Sequence, residues 1–334
     1  MRVLVTGGGG FLGQEVVRQL LAKSIIVRSL GRSPQPGLAT RGVEVMQGDL
    51  TDADTVARAV AGCDAIVHTA AKAGIWGSWD EYYRPNVLGT QNVLAAMRKH
   101  GVAQLVYTST PSVVFNGESH AGVDESQPYG QNFPCHYPRT KAMAEQAVLQ
   151  ANDGEKMRVI ALRPHLIWGA GDPHLVPRIL ARAHRLRIVG PGTNRVDLTH
   201  VRHAAQAHIL ALDALSQARH PAQGRAFFIS DGAPVVLWDW INALLQKLGR
   251  PPITRRISLR TARTVGSGLE VLWRVLPFFP GEPPMTRFLA AELAKDHWYS
   301  ISAARKLLNF NPTPELAAEM NALIMSLQSE SKSP

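Results

Sequence analysis

Val3-Leu4-Val5-Thr6-Gly7-Gly8-Gly9-Gly10-Phe11-Leu12-Gly13 decides how the rest of this 334-residue chain is read. An apolar run enters a Gly-x-x-Gly-x-x-Gly turn, and a helical period (Glu15, Val16, Val17, Leu20, Leu21) leaves it. That strand–turn–helix context separates a dinucleotide-binding turn from an ordinary cluster of glycines. Gly7 permits the tight turn, Gly10 lets the backbone approach a pyrophosphate, and Gly13 lets the helix lie close to its strand. The helix start then offers unpaired N–H groups and a partial positive charge to phosphate oxygens. Phe11 and Leu12 lie within the same turn and are expected to border the cofactor with it.

Working outward, short apolar runs alternate with helical periods. Strands are predicted at Val3–Val5, Ile25–Leu30, Val43–Gln47, Ala65–Thr69, Leu105–Thr108 and Val159–Leu162, with helices between them such as Asn86–Lys99 and Tyr137–Asn152. Apolar strands alternating with helices imply an α/β fold, a doubly wound parallel Rossmann sheet covered on both faces. Residues 1–175 are read as the NADP-binding domain. Residues 176–334 are read mainly as a smaller C-terminal substrate lobe, with about 203–230 returning to the sheet through a strand at Ala226–Ile229. Ligands of open α/β sheets bind at the carboxyl ends of the strands, beneath such a lobe.

Composition narrows the class. A net charge of +10 and a pI near 9.9 favour anionic ligands. No nucleic-acid motif accompanies the charge, and no nucleic acid is expected as a partner. Cys63 and Cys135 lack metal-ligand spacing, so no metal site is expected; scarce cysteine fits a reducing compartment. Met1 runs straight into a strand, so no signal peptide is expected, and no apolar run reaches the ~18 residues of a spanning helix. The expected location is the cytoplasm, with room for peripheral contact at the inner membrane.

The end of the second strand, Ser29-Leu30-Gly31-Arg32-Ser33, bears on the cofactor. An NAD site commonly places a carboxylate here for the ribose 2′-hydroxyl, and this chain has none. Arg32 can pair with a 2′-phosphate, with Arg28 assisting if it faces the same way. NADP(H) is therefore expected, with Asp49 and Leu50 edging the adenine.

Tyr137-Pro138-Arg139-Thr140-Lys141 supplies acid–base chemistry. Reduction of a carbonyl needs a proton for the developing alkoxide. A free tyrosine, with a pKa of about 10, is a weak donor at neutral pH. A lysine one helical turn on shares its face and is expected to lower that pKa and grip the nicotinamide ribose. The segment Thr108-Ser109-Thr110-Pro111-Ser112 offers hydroxyls to hold the substrate oxygen.

With these residues in place, the chain resembles the extended short-chain dehydrogenase/reductases, in their 3β-hydroxysteroid dehydrogenase-like branch. The likeness rests on Thr6–Gly13, Gly48-Asp49-Leu50-Thr51-Asp52, His68-Thr69-Ala70-Ala71, Asn86–Asn92, Tyr137–Lys141, and Leu162-Arg163-Pro164 through Asp172. The resemblance implies that Tyr137 is the acid and Lys141 its partner, which also contacts the cofactor. It puts Thr110 where the family usually carries Ser, with Ser112 the second choice. It further implies cofactor contacts from Ala70, Ala71, Asn86 and Pro164. A homodimer is implied too, through Val93, Leu94, Met97, Met143 and Val148.

Within the branch, the Gly7–Gly10 run, Pro111–Phe115, Thr286-Arg287-Phe288 and Asp296-His297 resemble the bacterial 2-alkyl-3-oxoalkanoate reductases of long-chain olefin biosynthesis. That implies NADPH-dependent reduction of a lipid-like β-keto acid, in cooperation with other olefin-pathway enzymes. Other readings are a sterol or 3β-hydroxysteroid dehydrogenase, a nucleotide-sugar epimerase, and a non-catalytic NADP(H) sensor. The lipophilic stretch Leu269–Phe279 is expected to border the pocket or its mouth. Arg178, Arg182, Arg185 and Arg187 are candidates for a substrate carboxylate.

Overall fold

The computed structural model describes residues 1–276 and 281–330. Seven parallel strands form its centre: β1 (Arg2–Thr6), β2 (Ile26–Gly31), β3 (Glu44–Gln47), β4 (Ala65–His68), β5 (Gln104–Thr108), β6 (Arg158–Pro164) and β7 (Arg225–Ile229). Their spatial order is β7-β6-β5-β4-β1-β2-β3. The order reverses between β1 and β4, so the crevice for a ligand opens there. Each predicted strand, including the late return at Ala226–Ile229, overlaps one of these elements, with Ile25, Val43 and Thr69 falling one residue outside.

The sheet is buried on both faces because its strands carry apolar residues on both. One face packs Val3, Val5, Val27 and Val67 against α1 (Phe11–Ala22) and α6 (Val201–Leu215). The other packs Leu4, Leu30, Ile66 and Leu105 against α2 (Ala53–Val60), α3 (Gly89–His100) and α4 (His136–Gln150). Local chemistry sets the helix starts. Asp52 Oδ1 accepts from the N–H groups of Asp54 at 3.0 Å and Thr55 at 3.2 Å, opening α2. By contrast α1 begins at Gly10 with no side chain on its first N–H groups.

Two expectations are corrected here. Arg28 faces away from the cofactor crevice, because strand alternation puts it on the α2 side with Leu30. Its Nη1 donates to the carbonyls of Ala59 at 2.8 Å and Ala61 at 2.7 Å, closing the end of α2, and Nη2 pairs with Glu44 at 2.9 Å. In addition Val93, Leu94, Met97 and Val148 lie in the chain's own core. Of the residues named for a dimer face only Met143 is partly exposed.

A separate apolar cluster gathers Trp168, Val176, Ile179, Trp238, Ile241 and residues as late as Ile324. It holds α5 (Leu175–Arg182) and α7 (Leu237–Lys247) over the carboxyl ends of the sheet strands. Further on, α8 (Leu259–Val275) packs along α9 (Arg287–Glu292), where Glu270 accepts from the Arg287 backbone at 2.7 Å. The outer side of α8 leaves Val265, Val271, Leu272 and Val275 exposed. Among the described residues no helix is long and apolar enough to cross a membrane.

Removing the Arg28 guanidinium leaves the carbonyls at the end of α2 unpaired in a nearly dry site. Arg28→Met is expected to cost about 2–4 kcal/mol, read as a lower urea midpoint at unchanged slope. Stability within 0.5 kcal/mol of the parent, about the size of an ordinary surface effect, would refute this role.

Candidate active site

A single cavity of about 830 Å³ runs from the Gly-rich turn to the lobe. Gly7, Gly10, Phe11, Leu12 and Gly13 line its inner end. Gly7 has φ +74°, and a Cβ there would stand 2.9 Å from Ala70 Cα. A Cβ on Gly13 would stand 2.1 Å from the Gly7 carbonyl oxygen. Both positions admit only glycine, and together they leave the uncapped start of α1 open to the cavity. These are the requirements of a dinucleotide pyrophosphate cradle, so the residues fit such a group.

Arg32, Asp49, Leu50, Ala70, Ala71 and Pro164 also line the cavity. Gly31 carries no carboxylate there. Its nearest neighbour is Gln35, whose Oε1 accepts from Ser29 Oγ at 2.6 Å. Gln35 was missed in the sequence. Its only signal is that it closes the short loop Arg32-Ser33-Pro34 after β2.

Asn86 is placed elsewhere, behind the cavity wall. It exchanges hydrogen bonds with Lys72, accepting from the backbone N–H at 2.7 Å and donating to the carbonyl at 3.1 Å, and donates to Thr140 Oγ1 at 3.1 Å. Thr140 in turn donates to the Tyr137 carbonyl at 2.9 Å. Asn86 thus ties the loop after β4 to the first turn of α4. Beside it, Thr90 donates to the Asn86 carbonyl at 2.7 Å and stands 3.0 Å from His68 Nε2, while His68 Nδ1 stands 2.6 Å from Thr6 Oγ1. Burial holds His68 neutral, with its pKa near 3, so this chain of hydrogen bonds carries no charge.

Tyr137, Lys141, Thr110 and Ser112 come together at the middle of the cavity. Thr110 caps the 3-10 turn Pro111–Val114, taking the Ser112 N–H at 3.3 Å. The Thr110 and Ser112 hydroxyls stand 2.9 Å apart. Thr110 also lies close enough to the Tyr137 hydroxyl to favour its ionised form. Lys141 is almost wholly buried; its ammonium donates to the Thr108 carbonyl at 2.6 Å and lies 4.2 Å over the Tyr107 ring.

The electrostatics differ from the sequence expectation. Burial pushes Tyr137 up to about 12, with Thr110 pulling the other way. Burial lowers Lys141 to about 7, against the attraction of Glu145. In the free protein burial thus outweighs any lowering of the tyrosine pKa by Lys141, whose ammonium is turned to the Thr108 carbonyl. Tyr137 is the protonated phenol, the form that donates to an alkoxide.

The outer cavity is mostly apolar, with Leu166, Leu175, Ile179, Leu237, Phe288 and Leu293 on its walls. Of the lipophilic stretch Leu269–Phe279, no residue from 269 to 276 lines the cavity, and Pro277, Phe278 and Phe279 lie outside the described residues. Residues 269–275 sit one layer out, behind α9. Arg178 and Arg182 reach the cavity but both pair with Glu282, at 3.3 and 2.9 Å. Arg185 and Arg187 do not line it. No role was expected for His165, Glu292 and His297, which also line the cavity. The signals were that His165 directly follows Pro164 and that His297 belongs to the Asp296-His297 pair of the resemblance.

Residues 4–260 match the 3-beta hydroxysteroid dehydrogenase/isomerase family. A 2-alkyl-3-oxoalkanoate reductase of Stenotrophomonas maltophilia is 48% identical, with 96% of each chain covered. A protein of the same name from Shewanella oneidensis is 42% identical, covering 97% of this chain and 85% of that one. Among solved structures, gox2253 superposes with a TM-score of 0.80 at 25% identity, covering 99% of both chains. The chain belongs to the 3-beta hydroxysteroid dehydrogenase/isomerase family of extended short-chain dehydrogenase/reductases and is an oxidoreductase.

Lys141 sits near its point of half-protonation in the free protein, and its charge is lost as pH rises through about 7. Reductase kcat/KM, which reports the free enzyme, is expected to fall over that range. Lys141→Arg keeps its proton throughout and should flatten that limb of the pH profile while lowering the plateau. A parent profile with no fall above neutrality, or an unchanged limb in the variant, would count against Lys141.

Proposed function

We propose that this member of the family reduces the ketone of a 2-alkyl-3-oxoalkanoate to the 2-alkyl-3-hydroxyalkanoate, with NADPH as reductant. The observation that carries this reading is one continuous cavity. It joins a glycine cradle to a Tyr–Lys–Thr cluster and continues along apolar walls. The names of the two bacterial relatives support the substrate class.

In this reading the cofactor, held by Gly7 to Gly13, Ala70, Ala71 and Pro164, supplies a hydride to the carbonyl carbon. Thr110 holds the carbonyl oxygen, with Ser112 beside it. Tyr137 gives its phenolic proton as the oxygen becomes an alkoxide, and the nearby Lys141 charge steadies the phenolate left behind. Arg32 on the cavity rim and the missing acid at Gly31 support the 2′-phosphorylated cofactor. The β-hydroxy acid formed suits an enzyme that closes a β-lactone, which supports a step in olefin biosynthesis. A homodimer remains part of the proposal on family likeness.

Tyr137→Phe removes the transferable proton and little else. A fall of about 10²–10⁴ in kcat is expected, with cofactor affinity kept by fluorescence titration. Near-normal turnover would remove the acid role.

The substrate and cofactor are tested together. Each buried methylene contributes about 0.8 kcal/mol, so kcat/KM should climb with alkyl length until the cavity is full. NADPH should surpass NADH. Gly31→Asp, which must also displace Gln35, should weaken NADPH more than NADH. Equal rates with NADH, or a flat response to chain length alongside turnover of a sugar nucleotide, would overturn the reading.

A further inference from the structure

Three titratable groups converge on the cavity beyond the Tyr–Lys–Thr cluster. His165 follows Pro164 at the end of β6. The β5–β6 register closes with Thr108 beside Leu162, so Thr110 and His165 emerge at the same edge of the sheet. His297 comes from the short strand His297–Tyr299, and Glu292 ends α9. All three line the cavity.

Their hydrogen bonds have one direction. His297 Nε2 stands 2.7 Å from the Glu292 carbonyl, and a carbonyl only accepts. In a neutral ring His297 Nδ1 is then the acceptor, and His165 Nε2, 2.6 Å away, must donate to it. His165 is left with a lone pair on Nδ1. Among the described residues no protein group satisfies that atom. The two rings meet nearly edge to face, at 88°. Each side-chain ligand atom of the trio lies within 4.8 Å of the others. A shared metal is not the reading, since ligand atoms around a zinc ion at ~2.0 Å would stand about 3.3 Å apart rather than 2.6 Å.

The groups facing this pair are few. From the His297 strand the Tyr299 ring stands 5.6 Å from His165. His120 borders Tyr299 at 6.0 Å, and Asp197 accepts from the Tyr299 N–H at 2.7 Å. The Glu292 carboxyl is 3.9 Å from His297 Nε2, and Cys135 lies near Glu292. Burial lowers His165 well below its usual pKa and raises Glu292, which favours the neutral form of each.

We propose that the His165–His297 pair is the seat of a substrate carboxyl group and takes it up together with one proton. The proposal rests on the β-keto acid reading above. The reason is a proton count. A bare carboxylate against an unpaired imidazole lone pair is repulsive on both sides. Imidazole with a carboxylic acid, and imidazolium with a carboxylate, are both favourable, and each holds one proton more than the separated partners at neutral pH. The count is the same whichever atom carries the proton. His297 acts as a positioning residue: its bond to the Glu292 carbonyl fixes the tautomer that turns Nδ1 of His165 outward. Among the described residues the arginines on the cavity wall besides Arg32 are Arg178 and Arg182, already committed to Glu282, and a carboxylate bound there would bring no proton.

The test is calorimetric titration of the enzyme saturated with its oxidised dinucleotide, using 2-hexyldecanoate as probe and 2-hexyldecanol as control. Runs at slightly alkaline pH in buffers of different ionisation enthalpy give the protons bound. Uptake near one for the acid and near zero for the alcohol is expected, and the acid's affinity should fall about tenfold per pH unit relative to the alcohol. The alcohol carries any contribution from Lys141. His165→Gln keeps the ring's bulk and a polar end but cannot share the proton. It should weaken the acid about 10- to 100-fold, spare the alcohol, and abolish the uptake. No uptake by the parent, or equal uptake for both probes, overturns the proposal even if His165→Gln fails to fold. Proton uptake without turnover of 2-alkyl-3-oxoalkanoates would overturn the proposed function alone. Turnover without uptake would overturn this inference alone.

Discussion

The buried ammonium of Lys141 constrains the site more than any other group. A charge removed from water must find partners, or it loses its proton. Here it has one strong acceptor, the Thr108 carbonyl at 2.6 Å, and one aromatic face, Tyr107. That pairing locks α4 to the end of β5. With α4 held, Tyr137 is presented to Thr110, which caps the turn that β5 runs into. Behind the helix, Glu145 pairs with Arg163 at 2.5 Å in a fully buried bridge, and Tyr129 donates to the same carboxylate at 2.7 Å. The negative charge of that bridge is what still attracts a proton to Lys141. One helix therefore serves three masters: the sheet, the acid and the charge beside it.

The sheet explains why these groups meet. Parallel strands all end at one edge, so residues that follow β1, β4, β5 and β6 are delivered to a common rim. The glycine turn, Ala70 and Ala71, Thr110, and the pair Pro164 and His165 come from four separate strands. The network from Thr6 through His68 and Thr90 to Asn86 joins that rim from below with neutral hydrogen bonds. It keeps the loops still without adding charge near Lys141.

The lobe divides the labour differently. Its apolar core holds α5 and α7 in place, while α9 carries Phe288, Leu289 and Glu292 into the cavity wall. The part of the lipophilic stretch that lies in α8 is used as a support for α9 and leaves Val271, Leu272 and Val275 in solvent. Lipophilicity along the chain thus marked a neighbour of the pocket, not its lining.

The amino-acid sequence by itself determined the layout: the strand periods, the glycine turn, the absence of an acid at Gly31, and the one-turn spacing of Tyr137 and Lys141. These are local properties, set by side-chain alternation, backbone freedom and helix pitch, and a linear reading reaches them. Other features were decided only by the tertiary structure. Arg28 went to the end of α2 because the twist of β2 faces it there, and Asn86 became a brace because Lys72 and Thr140 fold onto it. Val93, Leu94, Met97 and Val148 were claimed by the chain's own core, since an apolar helix stripe does not say which surface will cover it. The direction of the Tyr137 and Lys141 shifts depends on how much water is excluded around each. The meeting of His165 with His297, 132 residues apart, exists only once the lobe has closed over the sheet. Burial and long-range contact are sums over the whole packed molecule, and no local pattern contains them.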